Sequence, residues 1–337
     1  MRAQLRLSLD EITSGGKVAV ADALNLLEDR RPSCLEAAKT LIQKLGACSR
    51  PDRHVIGITG PPGVGKSTLI SRIIRIYRSL NKSIGIISVD PTSRRSGGAL
   101  LGDRARIEYN PADPKIFIRS MATGGHLGGL SWKTRHCLTV FEAVYDVIIL
   151  ETVGAGQSEI EIENVADTIV FVIQPDSGDA LQFMKAGIME IPHIMVVNKA
   201  DRKALALKTS NDLQSVAHFA RNNDTGWDPQ VILTSAKEGW GQEALVDAME
   251  RHRQFLISNN QIEARRIQNR LQWIYMLFKE RFGSFGVDLL GGEKNIFKLI
   301  NDASASNPYE TLEFLAQKMW KAVPEHDTTD HLCLKTE

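Results

Sequence analysis

The chain has 337 residues, long for one domain, so one large unit with additions or two domains at most is the expectation. Hydrophobic residues make up 43% and charged residues 24%, ordinary for a folded globular protein, which excludes a disordered or fibrous class. With 41 basic against 40 acidic residues the formal charge is +1, so no overall field draws the chain to nucleic acid or to an anionic membrane.

Cys34, Cys48, Cys137 and Cys333 stand far apart with no C-x-x-C pair, a pattern that argues against a zinc site or a disulfide framework and suits a reducing compartment. Residues Met1 to Asp10 include Arg2 and Arg6 but no apolar h-region, so no export signal is read there. The longest apolar runs are strand-sized. A cytoplasmic location with no membrane and no nucleic-acid partner is the expectation.

Taken in chain order, Val20, Leu24 and Leu27 fall at helical spacing. Ser33 followed by Glu36 predicts a capping box that opens a helix carrying Leu35, Ala38, Ile42 and Leu45, with Gly46 as its stop. Residues 1–50 therefore read as an N-terminal helical extension. From His54 onward short apolar segments alternate with amphipathic helical ones: Val55–Ile58, Ile84–Val89, Ile116–Ile118, Val147–Leu150, Ile169–Ile173, Ile194–Val197 and Val231–Leu233. That alternation predicts an α/β domain over residues 51–257, a mostly parallel sheet wrapped by helices, with ligands beyond the carboxyl ends of its strands. Past Ile257 the strands stop. Ile267, Leu271, Ile274, Phe278 and Phe282 mark one stripe of a long helix, and Trp273, Met276 and Leu277 widen it, so that cover is needed on two sides. A partner chain or a third helix of the same chain supplies that cover. With a further helix from about Pro308 to Trp320, residues 258–337 read as a C-terminal helical extension that serves dimerisation.

Gly60-Pro-Pro62-Gly63-Val64-Gly65-Lys66-Ser67, followed by Thr68, fits G-x-x-x-x-G-K-[ST] and lies between a predicted strand and a helix carrying Leu69, Ile70, Ile73, Ile74 and Tyr77. In a P-loop of this kind glycines let backbone N–H groups close on phosphates, and the helix N-terminus adds positive potential. Lys66 then bridges phosphate oxygens and the Ser67 hydroxyl meets Mg²⁺. Asn198-Lys199-Ala200-Asp201 follows the segment Ile194–Val197. Its carboxylate can accept from the N1–H and 2-amino groups of guanine, a donor pair that adenine lacks, although alone these four residues also suit a helix-capping turn. Thr234-Ser235-Ala236-Lys237 after the next strand adds backbone groups to hold the base. Jointly the segments favour GTP and GDP as ligands.

Glu151 opens Glu-Thr-Val-Gly154, where P-loop enzymes usually place an Asp near Mg²⁺ and a Gly at the γ-phosphate. Asp90 and Asp103 are further Mg²⁺ candidates, through water, with Asp90-Pro91 readable also as a turn opener. Lys66, Asp90 and Glu151 form the expected catalytic set, and Ser67 joins Asp90, Asp103 and Glu151 around the metal. Two glycine-rich stretches, one with Gly97 and Gly98 and one with Gly125 and His126, suit loops that order with GTP and relax after hydrolysis, or plain sharp turns. Gln157 is a candidate for orienting the attacking water or a polar residue at a helix start. Asp52-Arg-His54-Val-Ile-Gly57 matches D-x-H-x-x-G, a pattern by which some proteins ligate cobalamin cobalt through His. Here His54 leads directly into the P-loop strand, which argues against that role.

Together these segments, with Ser96–Arg104, Gly125–Gly129 and Glu151–Glu159, closely resemble the MeaB/ArgK family over essentially the whole chain. The departures are small, Thr92 and Ile107 standing where Ser and Met are expected. The resemblance implies a SIMIBI-type G domain in a homodimer that acts as chaperone for an adenosylcobalamin-dependent acyl-CoA mutase, such as methylmalonyl-CoA mutase. It further implies that slow GTP hydrolysis, accelerated by the mutase, gates cofactor loading and protects or reactivates the enzyme. A further switch segment is implied from Gln174 through Asp179 to Lys185; from the residues alone this is a loop and helix start with Asp179 as cap. Two other readings share parts of this pattern. A metallochaperone GTPase needs a Cys/His cluster that the sequence lacks, and a small-molecule kinase needs an ATP preference that Asn198–Asp201 argues against.

Overall fold

In the computed structural model, which describes residues 8–29, 31–48, 50–90, 106–122, 132–152, 162–175, 192–219, 226–303 and 308–323, the Val- and Ile-rich segments pair into one seven-stranded sheet. Its strands are β1 (His54–Thr59), β2 (Ile84–Asp90), β3 (Ile116–Ala122), β4 (Val147–Glu151), β5 (Thr168–Ile173), β6 (Ile194–Val197) and β7 (Gln230–Leu233). Their order is β3-β2-β4-β1-β5-β6-β7, and every pairing is parallel. Strands β1, β4, β5 and β6 are buried at every position, which is why they read as unbroken apolar runs rather than as alternations. After β4 the chain passes across β1 to β5, so the carboxyl end of β1 sits at the point where the winding reverses. In such sheets the crevice for a ligand lies there.

Helices cover both faces. On one, α4 (Lys66–Ser79) buries Leu69, Ile70, Ile73, Ile74 and Tyr77, a helical stripe that shares a core with Ile56, Ile58, Ile86 and Val170 of the sheet. On the other face α5 (Trp132–Val144) presses Phe141 on the bare backbone of Gly85, where a Cβ would come 2.2 Å from the ring. Before the sheet come α1 (Leu9–Thr13), α2 (Lys17–Glu28) and α3 (Pro32–Ala47). Helix α2 buries Val20, Leu24 and Leu27 and is tied to β3 by Arg119 Nη2, 2.6 Å from Glu28 Oε1. The capping box expected at Ser33 does not form. Helix α3 starts earlier, with Pro32 at its first position, because a fixed φ and a missing N–H suit the first turn. It also runs through Gly46 to Ala47, and Leu35 faces solvent while Ala38, Ile42 and Leu45 are buried.

The remaining helices are α6 (Lys203–Phe219), α7 (Gln242–Ser258), α8 (Gln261–Leu289), α9 (Glu293–Asp302) and α10 (Pro308–Ala322). The chain divides into two compact units, Met1–Gln268 and Asn269–Glu337. Within the second unit Ile274, Phe278, Val287, Ile296, Leu315 and Met319 form a core of their own, and Gly283 (φ 65°) interrupts α8. Helices of the same chain thus cover much of the wide apolar surface, while Met276, Phe285 and Trp320 remain exposed. Among the described residues no helix is long and apolar enough to cross a membrane. Cys34, Cys48 and Cys137 are unbridged thiols, and Cys333 lies outside the described residues.

At the amino-terminal edge of the sheet a buried polar network knits four elements. Asp167 accepts from Val55 N at 2.9 Å and from Arg266 of α8 at 3.1 and 3.0 Å. Burial pushes its carboxyl up, but the Arg266 bonds and charge outweigh that and hold it below the usual range. The Thr168 hydroxyl sits between His54 Nε2 (2.7 Å) and His252 Nδ1 (2.9 Å), and the His252 ring packs 4.1 Å from that of His193. Burial, with Arg265 and His54 next in effect, depresses His252 to about 3; burial with His252 and Arg265 keeps His193 well below its ordinary value. His54 is therefore a buried member of a hydrogen-bonded edge, consistent with setting aside the cobalt-ligand reading.

Candidate functional site

Five strand ends converge at the opposite, carboxyl edge. From β1 the chain enters Gly60, whose φ of 138° and closeness to Val172 exclude a side chain: a Cβ would lie 2.0 Å from the Val172 carbonyl oxygen. Gly65 (φ 94°) caps α4, and a Cβ there would meet Asn198 Nδ2 at 2.6 Å. The loop between them curls around Lys66, a buried ammonium that donates to the carbonyls of Gly60 (2.7 Å) and Pro61 (3.1 Å). Val64 is buried beneath the curl, Pro62 and Gly63 are exposed on it, and Thr68 is exposed in the first turn of α4. The first amides of α4 and its dipole are aimed at the space this loop encloses, the arrangement that attracts phosphate.

Beside it, β4 ends on Glu151, 5% exposed, which accepts from Ser67 Oγ at 2.8 Å and from Ser88 Oγ of β2 at 3.2 Å. Glu151 is in register with Ser88 of β2, which brings one hydroxyl to it, while the first turn of α4 brings that of Ser67. A buried carboxylate and a hydroxyl at the mouth of a phosphate loop make a hard oxygen pair that fits Mg²⁺. Among the described residues no group of three or more His, Cys, Asp or Glu is placed to hold a metal. Asp90 is the last residue of β2, and its side chain lies outside the described set. Asp103, Gly154 and the switch positions Gly97, Gly98, Gly125, His126, Gln157, Asp179 and Lys185 also lie outside the described residues.

On the other flank, β6 delivers Asn198, buried to 2% exposure and bonded on all sides. Its amide donates to Val64 O at 2.8 Å, and its carbonyl accepts from Thr234 Oγ1 (3.2 Å) and Ala236 N (3.1 Å), which welds the phosphate loop to the segment after β7. Lys199, held at φ 59°, reaches back to Gly63 O (2.7 Å) and Gln174 Oε1 (2.6 Å). That left-handed backbone at a bulky residue is uncommon and is sustained by these two bonds. Asp201 is exposed and accepts from Ser235 Oγ at 2.9 Å, so its carboxylate is oriented at the surface beside the turn 234–237.

The structure thus brings Gly60–Thr68, Glu151, Asn198–Asp201 and Ser235–Lys237 together at one rim. Three contributors went unread in the sequence. Ser88, two residues before Asp90 on the same strand face, could have been found from the period of two. Gln242 Nε2 donates to Ser235 O at 3.0 Å, and Arg72 binds the same turn; nothing in their spacing signals either contact.

Residues 20–285 match the family model described as methylmalonyl Co-A mutase-associated GTPase MeaB. The chain is 41% identical over 261 residues to a Pyrococcus horikoshii protein named as a GTPase, a match covering 77% of this chain and 80% of that one. It is 31% identical over 276 residues to GTPase ArgK of Escherichia coli, covering 81% and 83%. To the mitochondrial methylmalonic aciduria type A homolog of Mus musculus it is 31% identical over 281 residues, covering 80% and 68%. The solved structure of a LAO/AO transport system kinase superposes with a TM-score of 0.70 at 24% identity, covering 95% of this chain and 99% of that one, a likeness of fold.

Proposed function

The chain belongs to the MeaB family of methylmalonyl-CoA mutase-associated GTPases, and from that premise we propose that its hydrolysis of GTP gates adenosylcobalamin loading into an acyl-CoA mutase and protects or reactivates that enzyme. The observation that carries the nucleotide half of this reading is Asn198. One buried side chain bonds both the phosphate loop and the turn after β7, so that the two halves of a nucleotide site are built as a unit. The mutase half rests on the family and on relatives, among them one named for methylmalonic aciduria.

In this reading the amides of Gly60 to Thr68 and the α4 N-terminus bind the phosphates, and Lys66 leaves its loop carbonyls to place its charge on the β and γ oxygens. Ser67 and Glu151 would hold Mg²⁺, with Asp90 and Asp103 as its further candidate partners, and the ion would supply neutralisation of phosphate charge. Asp201 accepts from the guanine N1–H and 2-amino groups, and the turn 234–237 offers backbone groups to the base. Gly154 meets the γ-phosphate, and the stretches with Gly97, Gly98, Gly125, His126 and Gln157 change state on its loss. Asp179 and Lys185 belong to a segment that passes the change to the mutase. The exposed Met276, Phe285 and Trp320 of the second unit support assembly as a homodimer. A cytoplasmic location completes the proposal.

The test is a loading assay in which an apo acyl-CoA mutase is mixed with adenosylcobalamin and this chain, with GTP, GDP or a non-hydrolysable GTP analogue. Loading that depends on which nucleotide is bound, and that loses this dependence with Lys66→Ala, is the expected outcome. Loading at the same rate with and without the chain, whatever the nucleotide, sinks the proposal.

A further inference from the structure

We infer that Arg72, a residue of the phosphate-loop helix, sets the specificity of the site for the 6-position of the base. The inference rests on the reading that Asn198–Asp201 and the turn 234–237 receive a guanine.

Arg72 lies in the second turn of α4, half-buried, with its guanidinium over the turn that follows β7. Its Nε donates to Ala236 O at 3.0 Å and its Nη2 to Lys237 O at 3.3 Å. Gly239 leaves room for this approach, since even a Cβ there would stand 3.7 Å from the guanidinium carbon. The planar fork of arginine suits two successive carbonyls, whereas a lysine ammonium is a point donor with no such geometry.

The consequence follows from the peptide plane. In a trans peptide the C=O and the next N–H point in opposite directions, so drawing the Ala236 carbonyl toward α4 turns the Lys237 N–H away from it. The rest of the turn is fixed independently: Ala236 N by Asn198, Ser235 O by Gln242, and Glu238 N by the Ser235 hydroxyl at 3.2 Å. Arg72 supplies the remaining constraint, the direction of the Lys237 amide. With the base seated on the side away from α4, that amide donates to a 6-oxo oxygen and confronts a 6-amino group donor to donor. Asp201 reads the other edge, N1–H and the 2-amino group. A change at the 6-position that keeps N1–H separates the two discriminations. Arg72 touches no ligand atom in this scheme and acts as a positioning residue, linking base recognition to the helix that carries Lys66 and Ser67.

The experiment measures kcat and KM for GTP, for 6-thio-GTP, which keeps N1–H and the 2-amino group and exchanges the 6-oxo oxygen for sulfur, a weaker acceptor, and for XTP, which alters the 2-position. Wild type, Arg72→Ala, Arg72→Lys and Asp201→Asn are compared. Two lost hydrogen bonds predict that Arg72→Ala raises the KM for GTP about tenfold, leaves kcat within about twofold, and narrows the preference for GTP over the 6-thio analogue. The GTP-to-XTP preference stays as in wild type, and Arg72→Lys falls between. Equal changes for GTP and the analogue, or a fall in kcat without a change in KM, overturn the inference. Should the alanine variant fail to fold, an unchanged analogue preference in Arg72→Lys overturns it as well. Asp201→Asn is expected to shift the GTP-to-XTP ratio toward XTP; if that ratio does not move, the base-site reading itself is wrong and the inference falls with it.

Discussion

Lys66 shows how far one residue can be read before its surroundings are known. Spacing alone places it after Gly65 and before Ser67, and the structure surrounds its ammonium with the carbonyls of Gly60 and Pro61. A buried cation that interacts with its own loop is poised to exchange those neutral acceptors for anionic phosphate oxygens, which adds the attraction between opposite charges. Replacing it with alanine removes that exchange and leaves the glycine-governed loop conformation in place. Lys66→Ala is therefore expected to weaken GTP binding by at least about tenfold in a calorimetric titration, with the thermal midpoint little changed. Wild-type affinity in the variant would remove Lys66 from the phosphate site. What the sequence could not display at this scale is the second partner of each residue. Glu151 was legible as a candidate metal ligand, but the hydroxyl of Ser88 that orients it comes from another strand. Asn198 was legible as part of a base-reading motif, but its bonds to Val64 and Ala236 arise only when β1, β6 and β7 lie side by side.

Elements were easier to read than their edges. All seven strands were visible as apolar runs, and Ile194–Val197 needed no adjustment. Others gain a polar residue at an end, such as His54, Thr168 and Glu151, because hydrogen bonding in the ladder continues past the last apolar side chain. The capping box at Ser33 misled because Pro32 competes for the start of the same helix. The edge network among β1, β5, α7 and α8 was not legible at all, since its members are 84 to 114 residues apart in the pairs that Thr168 makes. That network, together with His136 buried on α5, has a consequence for acid stability. His136 and His252 are depressed by burial to about 3 and His193 also lies far below its ordinary value, against 6.5 for a free histidine. Above pH of about 6.5 neither the folded nor the unfolded chain protonates them, and their contribution is fully present. As pH falls below that value the unfolded chain takes up protons that the fold refuses, so stability is lost progressively toward pH 3, by up to about 1.4 kcal/mol per pH unit for each histidine. Urea midpoints measured from pH 8 to 5 should be level at first and then fall. The carboxylates begin to titrate only at lower pH, so a midpoint that stays level down to pH 5 would contradict the burial of these rings as neutral groups.

At the scale of the whole molecule the sheet places the phosphate loop centrally, Glu151 on one side and the base-reading segments on the other, because β1 lies between β4 and β5. This is a GTPase of the MeaB family, and the partner enzyme is the part of the account that lies beyond its own chain. Neither composition nor charge could indicate that partner, since a balance of 41 and 40 leaves no field to interpret; the combination of motifs did, through family resemblance. The proposed chaperone role implies slow turnover by the chain alone and a faster rate once the partner docks. The most direct measurement is GTP turnover by the purified chain, with ATP alongside, alone and after addition of an adenosylcobalamin-dependent acyl-CoA mutase from the same source. The account predicts slow turnover of GTP in preference to ATP, accelerated by the mutase. GTP turnover indifferent to every such mutase would contradict it.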